Sequence, residues 1–129
     1  MRVAVLGAGG IIAPAIVRDL AESEEVAHLR LLDLDEARAH ATGQAHAPDA
    51  EVMRVDPHGG LGYMLTGVDV LVNSASYRVN LDAMRACLEA GCHYIDLGGL
   101  YHLTTRQLEL DDDFTTVGKL ALRGRELTL

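Results

Sequence analysis

Gly7, Gly9 and Gly10 lie between a short apolar run, Val3 to Leu6, and an apolar segment with helical periodicity. Glycines at such a junction let backbone amides approach a ligand, and the dipole of the following helix favours negative charge. The chemistry of that arrangement is the binding of a diphosphate. Gly7 lets the chain turn sharply, Gly9 leaves room for a pyrophosphate against the backbone, and the amides of Gly10 and Ile11 begin the helix. Asp33, 26 positions after Gly7, supplies a second group. Its carboxylate can accept both hydrogen bonds of a ribose 2′,3′-diol, and its charge repels a 2′-phosphate. Leu34 follows rather than an arginine, which favours NAD over NADP, while Arg38 one helical turn later keeps NADP open. The plainer reading of Asp33 is a solvated helix cap before Glu36.

One position breaks the usual spacing of such turns. The third glycine of G-x-G-x-x-G falls on Ile12, whose branched side chain is expected to push the helix outward or narrow the ligand site. The alternative register, Gly7-x-x-Gly10-x-x-Ala13, puts a small residue at the third place. Further candidates sit at later strand ends. Asp56 is expected near an adenine edge, and Asn73, Ser74, Ala75 and Ser76 near a nicotinamide ribose, with ordinary loop chemistry as the alternative for each. Tyr77, Arg78, Asp96 and His102 could face a substrate or be structural. His93 is read as packing, and the run Asp111 to Asp113 as a helix start near Phe114 rather than a metal site.

The elements that would hold these groups alternate. Apolar runs at Val3–Leu6, Leu29–Leu32, Glu51–Val55, Val68–Asn73 and His93–Leu97 predict five strands. Ile12, Ile16 and Leu20 predict a first helix, with Pro14 tolerated in its first turn. Glu36 to Gln44 predicts a second, with a thin apolar face of Ala37, Ala41 and Ala45 ended by Pro48. Leu81, Met84 and Leu88 predict another, ended by Gly91. The glycine-rich segment 58–62 is too poor in helix formers to predict one, and Gly118 to Leu129 has room for a sixth strand but no further helix. Strands and helices in this alternation imply parallel βαβ units in a doubly wound, three-layer α/β sheet of five to six strands.

With 129 residues the chain fits a single domain, 1–129, that can bury a core unaided. The net charge of -8 argues against nucleic acid or an anionic membrane as partner. No apolar run reaches membrane-spanning length, and only Met1 and Arg2 precede the first strand, so a cytoplasmic protein is expected. Cys87 and Cys92 are read as two buried thiols in a reducing compartment. Lys119 is the only lysine. The G-x-x-G-x-x-A turn suits an extended short-chain dehydrogenase or epimerase, but such enzymes need Tyr-x-x-x-Lys. The fourth residue after Tyr63, Tyr77, Tyr94 and Tyr101 is Gly67, Leu81, Gly98 and Thr105. A P-loop is excluded because Lys119 is followed by Leu120.

Three segments carry a more specific resemblance: Val70 to Ala75, Ala86 to Gly99 with Tyr94-x-Asp96 and Asp96-Leu97-Gly98-Gly99, and Leu108 to Phe114. Over nearly the whole chain the sequence resembles the NAD(P)-binding, Rossmann-like domain of the saccharopine dehydrogenase family. The resemblance implies hydride transfer between a nicotinamide and the CH–NH carbon of an amino acid or polyamine precursor. Family members continue through a Gly- and Pro-containing turn into a substrate and dimerisation domain. Arg123 to Leu129 does not match that turn. The expectation is an isolated or truncated cofactor domain, with the substrate domain absent and no catalysis alone. It would take an amino-acid-like substrate only alongside such a domain, and could pair as a homodimer through exposed apolar surface. A non-catalytic nucleotide-binding or interaction module with the same fold is the alternative.

Overall fold

The computed structural model describes residues 1–98 and 101–122, and within them strands and helices alternate. They run β1 (Arg2–Leu6), α1 (Ala13–Glu22), β2 (His28–Asp33), α2 (Glu36–His46), β3 (Glu51–Arg54) and α3 (Leu61–Met64). The second half follows as β4 (Val70–Asn73), α4 (Asn80–Ala90), β5 (His93–Asp96), α5 (Tyr101–Leu108), α6 (Asp111–Thr116) and β6 (Ala121–Leu122). The strands form a six-stranded sheet in the order β3-β2-β1-β4-β5-β6, and every pair is parallel. Strand order reverses beside β1, and in open sheets of this kind ligands bind outside the carboxyl ends at that point. Register aligns those ends: Leu32 and Asn73 both pair with Leu6, and Asp96 pairs with Asn73.

Alternate residues of β1 serve different layers. Ala4 and Leu6 join Leu71, Ala83, Met84, Cys87, Tyr94 and Phe114 in the larger apolar cluster. Val5 joins Val17, Leu31 and Ala39 in the smaller one. Fully burying a leucine such as Leu31 or Leu71 contributes about 1.5–3 kcal/mol.

Helix faces depart from the sequence expectation in three places. In α1 the fully buried pair is Ala13 and Val17, with Ile16 and Leu20 flanking, while Ile12 is 56% exposed. In α2, Ala37, Ala41 and Ala45 face solvent and Ala39, Thr42 and Gly43 face inward. A Cβ on Gly43 would stand 3.2 Å from Leu31 Cδ1 and 3.4 Å from Val52 Cγ2, so this face is chosen by close approach to β2 and β3. In α4 the inward residues are Asn80, Ala83, Met84, Ala86 and Cys87, with Leu81 and Leu88 only partly covered. Gly91 ends α4 at φ +72° and donates to the Cys87 carbonyl. α3 is a single turn entered through Gly60 at φ +84°, in the segment 58–62 where no firm helix was expected. α5 has no counterpart in the sequence expectation, whereas α6 begins on the acidic run and buries Phe114.

Cys87 and Cys92 are buried free thiols. Hydrogen bonding to Cys92 and burial push the Cys87 thiol above its usual range. No helix among the described residues is long and apolar enough to cross a membrane. Residues 99–100 and 123–129, including part of the expected Asp96–Gly99 turn and the end of the chain, lie outside the described residues.

Candidate functional site

The turn after β1 spends most of its amides on the protein itself. Gly7 and Ala8 both donate to the Leu32 carbonyl, at 2.9 and 3.1 Å, and Gly10 donates to the Gly7 carbonyl at 2.9 Å. Gly9 donates to Asp33 Oδ2 at 2.8 Å. Gly7 sits at φ +80°, and a Cβ there would meet the Ala75 backbone nitrogen at 2.6 Å. Glycine is required at this position twice over, by backbone conformation and by the close approach of the loop after β4.

Gly9 and Gly10 also make contacts within the protein. The bare face of Gly9 is turned to α2: a Cβ would stand 2.7 Å from Arg38 Cβ and 3.2 Å from the Ala39 amide. The Gly10 amide closes the turn and is not a free donor. The donors left are the amides of Ile11 and Ile12, which have no acceptor among the described residues and stand at the positive end of α1. The outward push on the helix expected of Ile12 does not arise. Its side chain points to solvent, while Ala13, fully buried, makes the close helix contact; the turn follows the Gly7-x-x-Gly10-x-x-Ala13 register.

Asp33 spans the gap between the turn and α2. Besides Gly9 it accepts the Asp35 amide on Oδ1 at 2.8 Å. The helix cap is the next acidic residue, Asp35, which accepts the Arg38 amide at 3.1 Å. Each Asp33 oxygen therefore has one bond made and lone-pair capacity left, since a carboxylate offers about four acceptor positions. Leu34 and Ile11 are both exposed beside it, Ile11 at 94%. Asp56 is exposed and caps its own turn, accepting the His58 amide at 2.9 Å.

The 73–76 segment divides into inward and outward parts. Asn73 is 1% exposed and faces the core. Ser74 donates its hydroxyl to the Leu6 carbonyl at 2.8 Å, fixing the loop to β1. Ser76 accepts the Arg78 amide at 3.3 Å and starts a short 3-10 turn, Tyr77–Val79, where the Arg78 guanidinium lies 5.8 Å from the Tyr77 ring centre. Asp96, one of the candidates to face a substrate, is 3% exposed and turned into the core. It accepts Tyr94 Oη at 2.8 Å, Gln107 Nε2 at 2.7 Å and the Gly98 amide at 2.8 Å. Burial, then the Asp96 charge, pushes the Tyr94 phenol far above its usual range. His93 Nδ1 accepts the Leu120 amide at 3.0 Å and so ties β5 to the approach of β6.

The family model for the saccharopine dehydrogenase NADP binding domain matches residues 3–122. The chain belongs to that family. Among solved structures, this family member resembles saccharopine dehydrogenase (L-Glu forming) from Saccharomyces cerevisiae, with a TM-score of 0.81 at 15% identity over 95% of this chain and 26% of the yeast chain. It also resembles the WlbA (WbpB) dehydrogenase from Thermus thermophilus in complex with NAD and UDP-GlcNAcA (TM-score 0.74, 20% identity, 95% of this chain and 41% of that one). A third is the Citrobacter sp. triphenylmethane reductase complexed with NADP(H) (TM-score 0.71, 16% identity, 95% and 48%). The chain thus spans about a quarter to a half of the length of these proteins, and at such identities the likeness is one of fold.

The saccharopine dehydrogenase NADP binding domain is a dinucleotide-binding, Rossmann-like unit of oxidoreductases. The geometry fits that group: two unaccepted amides at a helix start face the same strand ends as a carboxylate with spare acceptor capacity. Sequence reasoning missed Asn80 and Gln107, each buried and hydrogen-bonded beneath the carboxyl-edge loops. The available signal was Asn73, Tyr94 and Asp96 all lying on the inward side of their strands, where polar groups need partners.

Proposed function

We propose that this domain binds NAD in an oxidoreductase acting on the CH–NH bond of an amino acid or polyamine precursor. The observation that carries the reading is Asp33, held at the turn by Gly9 and Asp35 with acceptor positions to spare. A ribose diol would use those positions, and the negative charge disfavours a 2′-phosphate. The amides of Ile11 and Ile12 would take the pyrophosphate, with Gly7, Gly9 and Gly10 shaping the turn. Leu34 would lie against the adenine, Asp56 near its edge, and Ser74, Ala75 and Ser76 along the nicotinamide ribose, with Asn73 supporting them from below. The bound nicotinamide supplies the hydride; the chain's own part is to orient it and to keep the loops fixed.

Tyr94 and Asp96 are committed to each other inside the core, so we assign substrate-side proton transfer to groups outside this domain. The domain alone is then a binder without turnover. A second reading, NADP, has the family's description in its favour, with Arg38 as the cation for a 2′-phosphate. Calorimetric titration with NAD and NADP decides between them: tighter NAD is expected, and a tighter NADP curve overturns the Asp33 argument. Absence of heat with either would favour a vestigial interaction module. We further propose self-association through the outer side of β5 and β6, where Ile95 and Leu122 are exposed, to be checked by sedimentation. The buried thiol pair suits the cytoplasm.

A further inference from the structure

Five side chains from four elements form a continuous buried chain of hydrogen bonds. Asn73 Oδ1 accepts the Ala75 amide at 3.1 Å, which fixes the orientation of its amide group. Asn73 Nδ2 then donates to Asn80 Oδ1 at 2.9 Å and to Tyr94 Oη at 3.2 Å. Tyr94 has one hydroxyl proton, and it goes to Asp96 Oδ2, which also takes Gln107 Nε2 from α5. Asp96 Oδ1 accepts the Gly98 amide. Among the described residues the chain thus reaches backbone amides at Ala75 and Gly98, in the two loops that leave the carboxyl edges of β4 and β5. Ala75 is also the residue against which Gly7 packs, so its position sets the back wall of the glycine turn.

We propose that Tyr94 is a positioning residue for the dinucleotide cradle, its hydroxyl joining the Ala75 loop, and through it the Gly7 turn, to the Gly98 loop and α5. This rests on the reading of the turn as a cofactor site. Tyr94 cannot touch a ligand itself, because it is 2% exposed and both functions of its hydroxyl are taken. It is the only described side chain that bonds to both Asn73 and Asp96, which are the anchors of the two loops. Phenylalanine would keep the ring's packing and remove the bridge alone.

The test is Tyr94→Phe in the full chain, read by amide hydrogen exchange, urea unfolding and NAD titration together. Exchange at Ala75 and Gly98 is expected to rise about tenfold at both positions, the equivalent of one hydrogen bond's net contribution. Amides of β2 and α2 should change no more than the urea midpoint requires, and NAD affinity should fall about tenfold. Unchanged exchange at Ala75, or a uniform rise across the sheet, overturns the proposal. Gln107→Met removes one donor to Asp96 at similar volume; it should speed Gly98 most and Ala75 in the same direction by less. Should Tyr94→Phe fail to fold, an unmoved Ala75 in Gln107→Met is by itself decisive against the relay. If the wild-type chain gives no heat with NAD or NADP, the cofactor reading fails while the paired exchange at Ala75 and Gly98 still decides the coupling.

Discussion

Around β1 and β2 the carboxyl-edge loops are located by what their residues lack; around β4 and β5 they are located by what the side chains reach. Gly7 lies against Ala75 and Gly9 against Arg38 at distances no Cβ would permit, and Gly43 lies against Leu31 where a Cβ would be tight. On the other side, Asn73, Asn80, Tyr94, Asp96 and Gln107 fill the equivalent space and hold the loops through directed bonds. The first arrangement leaves backbone amides and one carboxylate facing outward, as a ligand with phosphates and a diol requires. The second directs its bonds into the core, where only Asn80 Nδ2 and Gln107 Oε1 are buried without a partner among the described residues, and gives rigidity instead. The candidate binding surface and its support are thus separated across the sheet.

Substitutions can break each side in its own way. Gly7→Val should be the most damaging, because it adds a β-branched side chain at positive φ and drives it into the Ala75 backbone. A loss of about 3 kcal/mol or more in urea unfolding is expected. Asp96→Ala should follow closely, at about 3 kcal/mol, since Tyr94, Gln107 and Gly98 all lose their acceptor in a buried setting. A loss below about 1 kcal/mol would show the network to be wetter than its burial implies. Asp33→Ala acts on the open side. Stability should fall only by about 1 kcal/mol, from the released Gly9 and Asp35 amides, while NAD affinity should drop at least tenfold and NADP affinity less or not at all.

Alkaline titration separates the two sides further. Tyr94 ionises in the folded chain well above its unfolded value of about 10, so the neutral phenol favours folding. Its contribution is whole below about pH 10 and declines as pH rises beyond it, by up to about 1.4 kcal/mol per pH unit. Stability curves of wild type and Tyr94→Phe should therefore converge above pH 10, whereas Asp33→Ala should track the wild type there. The smallest effect is expected at Ile12. Restoring glycine by Ile12→Gly should leave NAD affinity within twofold, because Ala13 already makes the close contact. Ile12→Ser should add about 1 kcal/mol by capping α1, which has no side-chain cap.

The central strands and the turn were legible in the sequence because parallel strands covered on both faces, such as β1 and β4, read as near-continuous apolar runs, and glycine clusters punctuate them. Asp33 was legible as the acidic residue ending the second run. Helix faces were not. α2 is so rich in alanine that its periodicity carries little information, and its true face was set by Gly43 and Ala39, where absent bulk rather than apolar bulk determines the contact. Asn80 and Gln107 escaped for the opposite reason: hydrophobic patterning assigns polar residues to solvent, and only the pairing of β4 with β5 reveals that Asn73 and Asp96 need partners. Gly9 and Gly10 lie in the turn, and their contacts to α2 and to the Gly7 carbonyl are visible only in three dimensions.

Because Gly7, Ala8, Gly9 and Gly10 already have acceptors for their amides, the loop they form holds its shape without any guest. A dinucleotide docking on this loop is expected to meet no cost of ordering it, because the loop's own bonds have already set its shape.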